Sequence, residues 1–130
     1  MYLLDTNTLI YFFKGQGDVA THLFTRSPKD IFIPTIVLFE LEVGIAKSND
    51  STKRRDQLQK LLGAVQVLDF THKEAKESAL IRAELERKGV PIGPMDTLIA
   101  GCAKANALTL VSRNLSEFER VDGLKVESWF

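Results

Sequence analysis

Two aspartates, Asp5 and Asp96, lie where a metal-dependent enzyme could use them. Residues 2–4 are largely apolar and predict a buried parallel strand, and Asp5 follows at its carboxyl end. Ligands bind at this edge of open α/β sheets. Asp5 has a second interpretation as a helix N-cap. Asp96 opens another apolar stretch at residues 97–100, and two acids in such settings suggest a shared metal ion.

Two further residues are candidates for the same site. Glu40 lies in an otherwise almost wholly apolar helical stretch, and a buried carboxylate is costly unless it is paired or bound to a metal. Alternatively, Glu40 or its neighbour Glu42 faces solvent. Asn114 follows a predicted strand, as Asp5 does, although asparagine there is also a common turn residue.

The side chains available as ligands favour a hard cation. Cys102 is the only cysteine, and the two histidines, His22 and His72, are far apart in sequence. This composition argues against a Cys/His zinc site and rules out an intrachain disulfide. Oxygen ligands favour Mg²⁺, with Mn²⁺ as the alternative.

Composition and charge predict one globular domain spanning residues 1–130. The chain is 45% hydrophobic and 26% charged, as in ordinary folded proteins. No stretch reaches the roughly 20 apolar residues of a membrane span, and the opening strand leaves no room for a signal peptide. We therefore expect a cytoplasmic protein. The formal net charge is zero, so a nucleic acid would need a local basic patch.

The chain alternates short apolar runs with helical patterns. Thr71 and Glu74 have the spacing of a capping box, and strands separated by helices imply parallel pairing. The predicted class is therefore α/β. The predicted strands are 2–4, 31–33, 65–68, 108–112 and 125–127, and the predicted helices are 7–14, 18–26, 35–47, 51–62, 71–88 and 95–106.

Four motifs carry a resemblance to a known family. They are L-D-T-N at 4–7, E-L-E-V-G at 40–44, D-T-L-I-A at 96–100, and S-R-N-L-S-E-F-E-R-V-D-G-L-K-V-E-S-W at 112–129. In this order and at these spacings the chain resembles a PIN domain, and specifically the VapC-type toxins of bacterial toxin–antitoxin modules. The resemblance implies a PIN-like fold with a five-stranded parallel sheet of order 3-2-1-4-5, flanked by helices.

The resemblance also implies roles for individual residues. It assigns metal binding and catalysis to Asp5, Glu40 and Asp96, and it places Asn114 at a fourth catalytic position that is frequently Asp. The substitution leaves one fewer negative charge and puts a second metal in doubt. Asn7, Ser112 and Arg113 are predicted to bind the substrate.

The chemistry of clustered acids agrees with a metal-dependent nuclease. Two carboxylates about 4 Å apart repel by roughly 4 kcal/mol at an effective dielectric near 20, and a divalent ion removes that repulsion while activating water. Because the RNA 2′-hydroxyl is not the nucleophile, the expected products carry a 5′-phosphate and a 3′-hydroxyl. The closing stretch resembles that of VapC-type toxins that cleave the anticodon loop of initiator tRNA, and this resemblance makes that loop a candidate target.

The RNA groove and the protein partners are predicted from surface residues. Phe12 and Phe13 are adjacent, so we expect one of them to line an interface with an antitoxin helix or with a second subunit of a homodimer. Near the acids, Arg113 is the preferred RNA contact. The other basic candidates for the groove are Lys14, Arg82, Lys88 and Arg120, with the run 53–55 more remote.

Three other classes of protein are alternatives to a metal-dependent nuclease. A phosphoacceptor receiver domain needs paired acids after the first strand and an Asp after a middle strand, and this chain has neither. A haloacid-dehalogenase-like phosphatase needs Asp where Asn7 stands. A PIN-like fold kept only for partner binding remains the third alternative, and Asn114 is the single feature that favours it.

Overall fold

The computed structural model describes residues 1–130 and contains one parallel β-sheet. All four strand pairings are parallel, and the spatial order is β3-β2-β1-β4-β5, which confirms the predicted order. The strands are β1 (Tyr2–Leu4), β2 (Ile31–Pro34), β3 (Gln66–Leu68), β4 (Thr109–Val111) and β5 (Val126–Glu127).

Helices connect the strands and cover the sheet. The predicted helices are present with bounds that differ by no more than two residues, and a single 3₁₀ turn and the last helix were not predicted. None of the helices is both long enough and apolar enough to cross a bilayer. The helices are α1 (Thr6–Lys14), α2 (Val19–Phe24), α3 (Thr35–Lys47), α4 (Ser51–Leu62), α5 (His72–Arg87), α6 (Pro94–Ala105) and α7 (Leu115–Phe118), and the 3₁₀ turn covers Pro28–Asp30.

The central strand β1 determines where the site forms. Leu3 and Leu4 are completely buried, as expected for a strand covered on both faces. Leu3 is in register with Phe32 of β2 and Leu110 of β4. Because the three strands are parallel and in register, the residues that follow them meet at one edge of the sheet. Asp5 is among them.

The packing of α5 against α6 depends on a glycine. A Cβ atom at Gly101 would lie 1.9 Å from the hydroxyl oxygen of Ser78, so only glycine allows this close approach of the helices. Since Asp96 lies in the first turn of α6, this contact helps to fix the position of that acid.

An aromatic cluster attaches the last residues to β1 and α2. Trp129 is buried, its ring stacks on His22 at 5.4 Å, and it contacts Tyr2 at 5.1 Å. The guanidinium of Arg26 lies over both Trp129 and Tyr2, at 4.6 and 4.8 Å. The segment that ends at Phe130 therefore has a fixed position on the body of the protein.

Candidate active site

Asp5 caps α1 and also lies among the acids. Its carboxylate accepts the Thr8 backbone N–H at 2.9 Å, which caps α1, and it also accepts a hydrogen bond from the Ser112 hydroxyl. The carboxylate is buried. Burial raises its pKa, hydrogen bonds from Ser112 and Thr8 oppose this, and the charge of Glu40 raises it further. Asp5 is thus both the cap of α1 and an acid of the site.

Glu40 and Glu42 lie on different faces of α3. Glu40 is half-buried, and its carboxylate accepts the Thr6 hydroxyl at 2.6 Å, which links α3 to the start of α1. Glu42 is exposed and pairs with Arg55 at 3.0 Å. The structure therefore places Glu40 beside Asp5 and directs Glu42 away from the site.

The pKa of Asp96 reflects its burial and the negative charges of the neighbouring acids. Burial raises its pKa to about 6, assisted by a hydrogen bond with Glu117 and by the negative charges of Glu117, Asp5 and Glu40. Three carboxylates, those of Asp5 just after β1, Glu40 in α3 and Glu117 in α7, thus act electrostatically on Asp96 at the carboxyl edge of the sheet.

Glu117 was not identified from the sequence. It lies in α7, a helix of four residues that is too short to produce a periodic pattern. The Asn114 side chain donates to the Glu117 carboxylate at 2.5 Å. The fourth acid is therefore Glu117, three residues after Asn114. The spacing N-x-x-E places the two side chains on one helical turn and could have identified Glu117 from the sequence.

The three predicted substrate-binding residues lie in different environments. Asn7 and Arg113 are exposed, so both can reach a bound molecule. Ser112 is completely buried, and its hydroxyl accepts the Asn114 backbone N–H at 3.0 Å while donating to Asp5. Ser112 therefore orients Asp5 and is not accessible to a bound molecule, whereas substrate binding by Asn7 and Arg113 stays a prediction.

The predicted basic residues differ in how they lie relative to the acids. Lys14 and Arg54 line a cavity of 320 Å³ that Glu40 also lines, and Arg54 donates to the Gln57 side chain at 3.1 Å. The other groove candidates are used within the chain: Arg82 pairs with Glu86, Lys88 with Glu84 and Asp122, and Arg120 donates to the Pro91 carbonyl.

The donor set fits a divalent cation. All the acidic groups supply oxygen, and the raised pKa of Asp96 marks negative charge that no cationic side chain neutralises. No three His, Cys, Asp or Glu side chains lie close enough together to bind an ion directly. Mg²⁺ does not require three, because it keeps several waters and uses one or two carboxylates. Direct coordination by Asp5, Glu40 and Asp96 together stays a prediction.

The chain is similar to known proteins along almost its whole length. The chain matches the family model described as PIN domain over residues 2–124. A relative from Salmonella typhimurium named tRNA(fMet)-specific endonuclease VapC is 37% identical over 98% of this chain and 97% of its own length. The structure of VapBC2 from Rickettsia felis bound to a promoter DNA fragment matches with a TM-score of 0.92 and 35% identity, covering 99% of this chain and 98% of that chain. DNA-bound VapBC from Salmonella typhimurium also matches with a TM-score of 0.92, at 36% identity and the same coverage.

The fold, the acid cluster and these matches assign the chain to the PIN-domain family. Within that family it is a VapC-type ribonuclease, the toxin class of toxin–antitoxin systems. The predicted family, fold class and enzyme class are thereby confirmed. Nucleases of this family are typically metal-dependent.

Proposed function

We propose that this protein is a Mg²⁺-dependent endoribonuclease that hydrolyses RNA phosphodiesters as the toxin of a toxin–antitoxin pair. The observation that carries the proposal is the convergence of Asp5, Glu40, Asp96 and Glu117, with the pKa of Asp96 raised to about 6 by burial and by its acidic neighbours. Such uncompensated charge is unfavourable without a cation, and it supplies the ligands that a cation needs.

Each acid has a distinct part in the proposed site. Asp5 and Asp96 would hold the ion directly, while Thr6 fixes the direction of Glu40 and Asn114 fixes that of Glu117. A bound divalent ion supplies Lewis acidity, which activates water toward the phosphodiester and offsets charge on the leaving oxygen. Attack by water leaves a 5′-phosphate and a 3′-hydroxyl.

The proposed substrate is initiator tRNA, cut in its anticodon loop. The Salmonella relative named as tRNA(fMet)-specific supports this choice, and a single-stranded loop leaves the backbone accessible. Incubating the purified protein with initiator and elongator methionine tRNAs and mapping the ends of the products tests the choice directly.

The proposed protein partner is an antitoxin that covers an aromatic surface on α1 and α2. Phe12 and Phe13 are both half-buried, and Phe12 contacts Phe24, which is 76% exposed. Large exposed aromatics in one patch favour a protein interface. Related structures described as VapBC complexes support the antitoxin as occupant. A homodimer is also proposed, and light scattering of the isolated toxin tests it.

The non-catalytic alternative has lost the feature that favoured it. Asn114 does leave its own position uncharged, but Glu117 supplies a fourth carboxylate, and Asn114 donates to it. The acid count of the proposed site is therefore four, which supports a working enzyme.

The decisive test compares two neighbouring glutamates in a cleavage assay. Glu40→Gln removes a charge from the site, so we expect RNA cleavage in Mg²⁺ to fall at least about tenfold. Glu42→Gln is the matched control on the same helix and should cleave as wild type does, because Glu42 pairs with Arg55 at the surface. EDTA should abolish cleavage by all three proteins. The reverse ranking of the two variants, or cleavage that EDTA leaves intact, would refute the proposed site.

A further inference from the structure

Arg113 differs from the other arginines in how it is held. Each of the others donates a hydrogen bond or forms an ion pair within the chain, whereas the guanidinium of Arg113 does neither and is exposed. The bonded arginines are Arg26, Arg54, Arg55, Arg82, Arg87 and Arg120.

Two aromatic rings support the Arg113 guanidinium instead. Its central carbon lies 3.7 Å from the ring centroid of Phe130 and 5.7 Å from that of Tyr11. Both distances are within cation–π range. The two rings contact each other edge to face at 4.8 Å. Stacking uses the face of the guanidinium and leaves its N–H donors along the edge free.

The backbone of Phe130 is held by close contacts with residues 17 and 18. The Asp18 backbone N–H donates to the Phe130 carbonyl at 2.7 Å. Gly17 has a φ of +62°, and a Cβ atom there would lie 2.6 Å from that same oxygen. Glycine is therefore required for this approach, and the aromatic support does not depend on side-chain packing alone.

Arg113 stands beside the acids without pairing with them. Its chain neighbours Ser112 and Asn114 contact Asp5 and Glu117 respectively. A flexible arginine at this position would be attracted to the carboxylates. Stacking on Phe130 opposes that movement and keeps the positive charge at the rim of the site.

We infer that Tyr11 and Phe130 form an aromatic shelf that positions Arg113 to bind a backbone phosphate of the RNA strand at the acid site. A guanidinium with free edge donors can bind phosphate in a bidentate manner. The inference rests on the proposed function because it assumes an RNA substrate. It assigns Phe130 a positioning role that acts through Arg113.

Binding of a fluorescent RNA hairpin, measured by anisotropy in EDTA, tests the shelf without cleavage. Arg113→Gln should weaken binding about tenfold, which corresponds to roughly 1.4 kcal/mol, and should lower the salt dependence by about 0.7 in log–log slope. Phe130→Leu should weaken binding about threefold, in the range of an exposed cation–π contact. Phe130→Tyr keeps the ring and should bind as wild type does.

The double variant separates positioning from a general structural effect. In the Arg113→Gln background, Phe130→Leu should cause no further loss, because its effect passes through Arg113. Additive losses, a Phe130→Tyr variant as weak as Phe130→Leu, or unchanged binding by Arg113→Gln would each overturn the inference. Loss of antitoxin binding with RNA binding intact would also overturn it, and would assign Arg113 to the protein interface.

Cleavage kinetics in Mg²⁺ distinguish this inference from the proposed function. Arg113→Gln and Phe130→Leu should raise KM and leave kcat close to that of wild type. If wild type cleaves RNA and the variants keep its KM, the shelf is refuted and the proposed function stands. If wild type cleaves no RNA, the proposed function fails, and the hairpin binding measurements still decide the role of the shelf.

Discussion

Two carboxylate groups of this protein, at Asp96 and at Glu74, have opposite electrostatic environments. The pKa of Asp96 is raised to about 6 by burial and by the acids around it. The pKa of Glu74 is lowered to about 2, chiefly by the hydrogen bond from the Thr71 hydroxyl. Glu74 also accepts the Thr71 backbone N–H and the Asn106 amide, each at 2.9 Å. Asp96 faces acceptors, whereas Glu74 is surrounded by donors.

This contrast distinguishes the proposed metal site from a site that stabilises the fold. Donors around Glu74 favour its charged form and connect the start of α5 to the end of α6 through Asn106. The acids around Asp96 disfavour its charged form, so the folded protein is destabilised there until a cation neutralises the cluster. Removing the negative charge of Asp96 should therefore stabilise the metal-free protein, whereas removing that of Glu74 should destabilise it.

The largest expected effect is on catalysis by Asp96→Asn. The substitution keeps the size of the side chain and removes a charge that the metal needs, so RNA cleavage should fall at least about 100-fold. Antitoxin binding should be unchanged, because the aromatic surface around Phe12 and Phe24 lies outside the acid cluster. Cleavage kinetics and a pull-down with the antitoxin measure the two effects. Substantial residual cleavage would mean that Asp96 only begins a helix.

A smaller effect, on stability alone, is expected for Glu74→Gln. The neutral amide is a weaker acceptor and turns a donor toward the donors of Thr71 or Asn106, which should lower the free energy of unfolding by about 1–3 kcal/mol. Cleavage per folded molecule should not change. Urea denaturation measures the loss, and Glu77→Gln on the same helix is a control, since the Lys104 ion pair that it disrupts is partly exposed. Loss of activity without loss of stability would refute the structural role.

The smallest expected effect is on the pH dependence of folding without metal. The pKa of Asp96 in the folded protein is raised from 3.8 to about 6. The favourable contribution of Asp96 to the free energy of unfolding is therefore complete below pH 3.8 and is lost as the pH rises through about 6. Glu74 behaves in the opposite way. Its contribution is present above 4.5 and is lost as the pH falls through about 2.

Melting temperatures in EDTA across the pH range test this difference. The stability of Asp96→Asn relative to wild type should increase between about pH 4 and pH 7. The deficit of Glu74→Gln should be largest near neutral pH and should shrink in acid. A difference between Asp96→Asn and wild type that does not change with pH would contradict the assigned environment of Asp96.

The strand order of the sheet and three of the four acids were predicted from the sequence. Asp5, Glu40 and Asp96 each lie next to an apolar run whose length or period identifies a strand or helix. The capping box at Thr71 was also predicted, because its two residues are close in sequence, and it is present.

The features of the site that were not predicted from the sequence lie in short elements or depend on contacts between distant segments. Glu117 was missed because α7 has only four residues. The burial of Ser112 and the stacking of Arg113 on Phe130 depend on how β4 and the last residues pack against α1. No local pattern encodes those tertiary contacts.

The most direct test of the central claim is thermal melting with and without Mg²⁺ for wild type, Asp96→Asn and Glu74→Gln. A saturating ion that binds only the folded state raises stability, by about 2.7 kcal/mol at 100 times its Kd. Wild type should therefore melt at a higher temperature in Mg²⁺, Asp96→Asn should gain little, and Glu74→Gln should start lower yet gain as much as wild type. Equal stabilisation of wild type and Asp96→Asn by Mg²⁺ would contradict a metal site at the acid cluster.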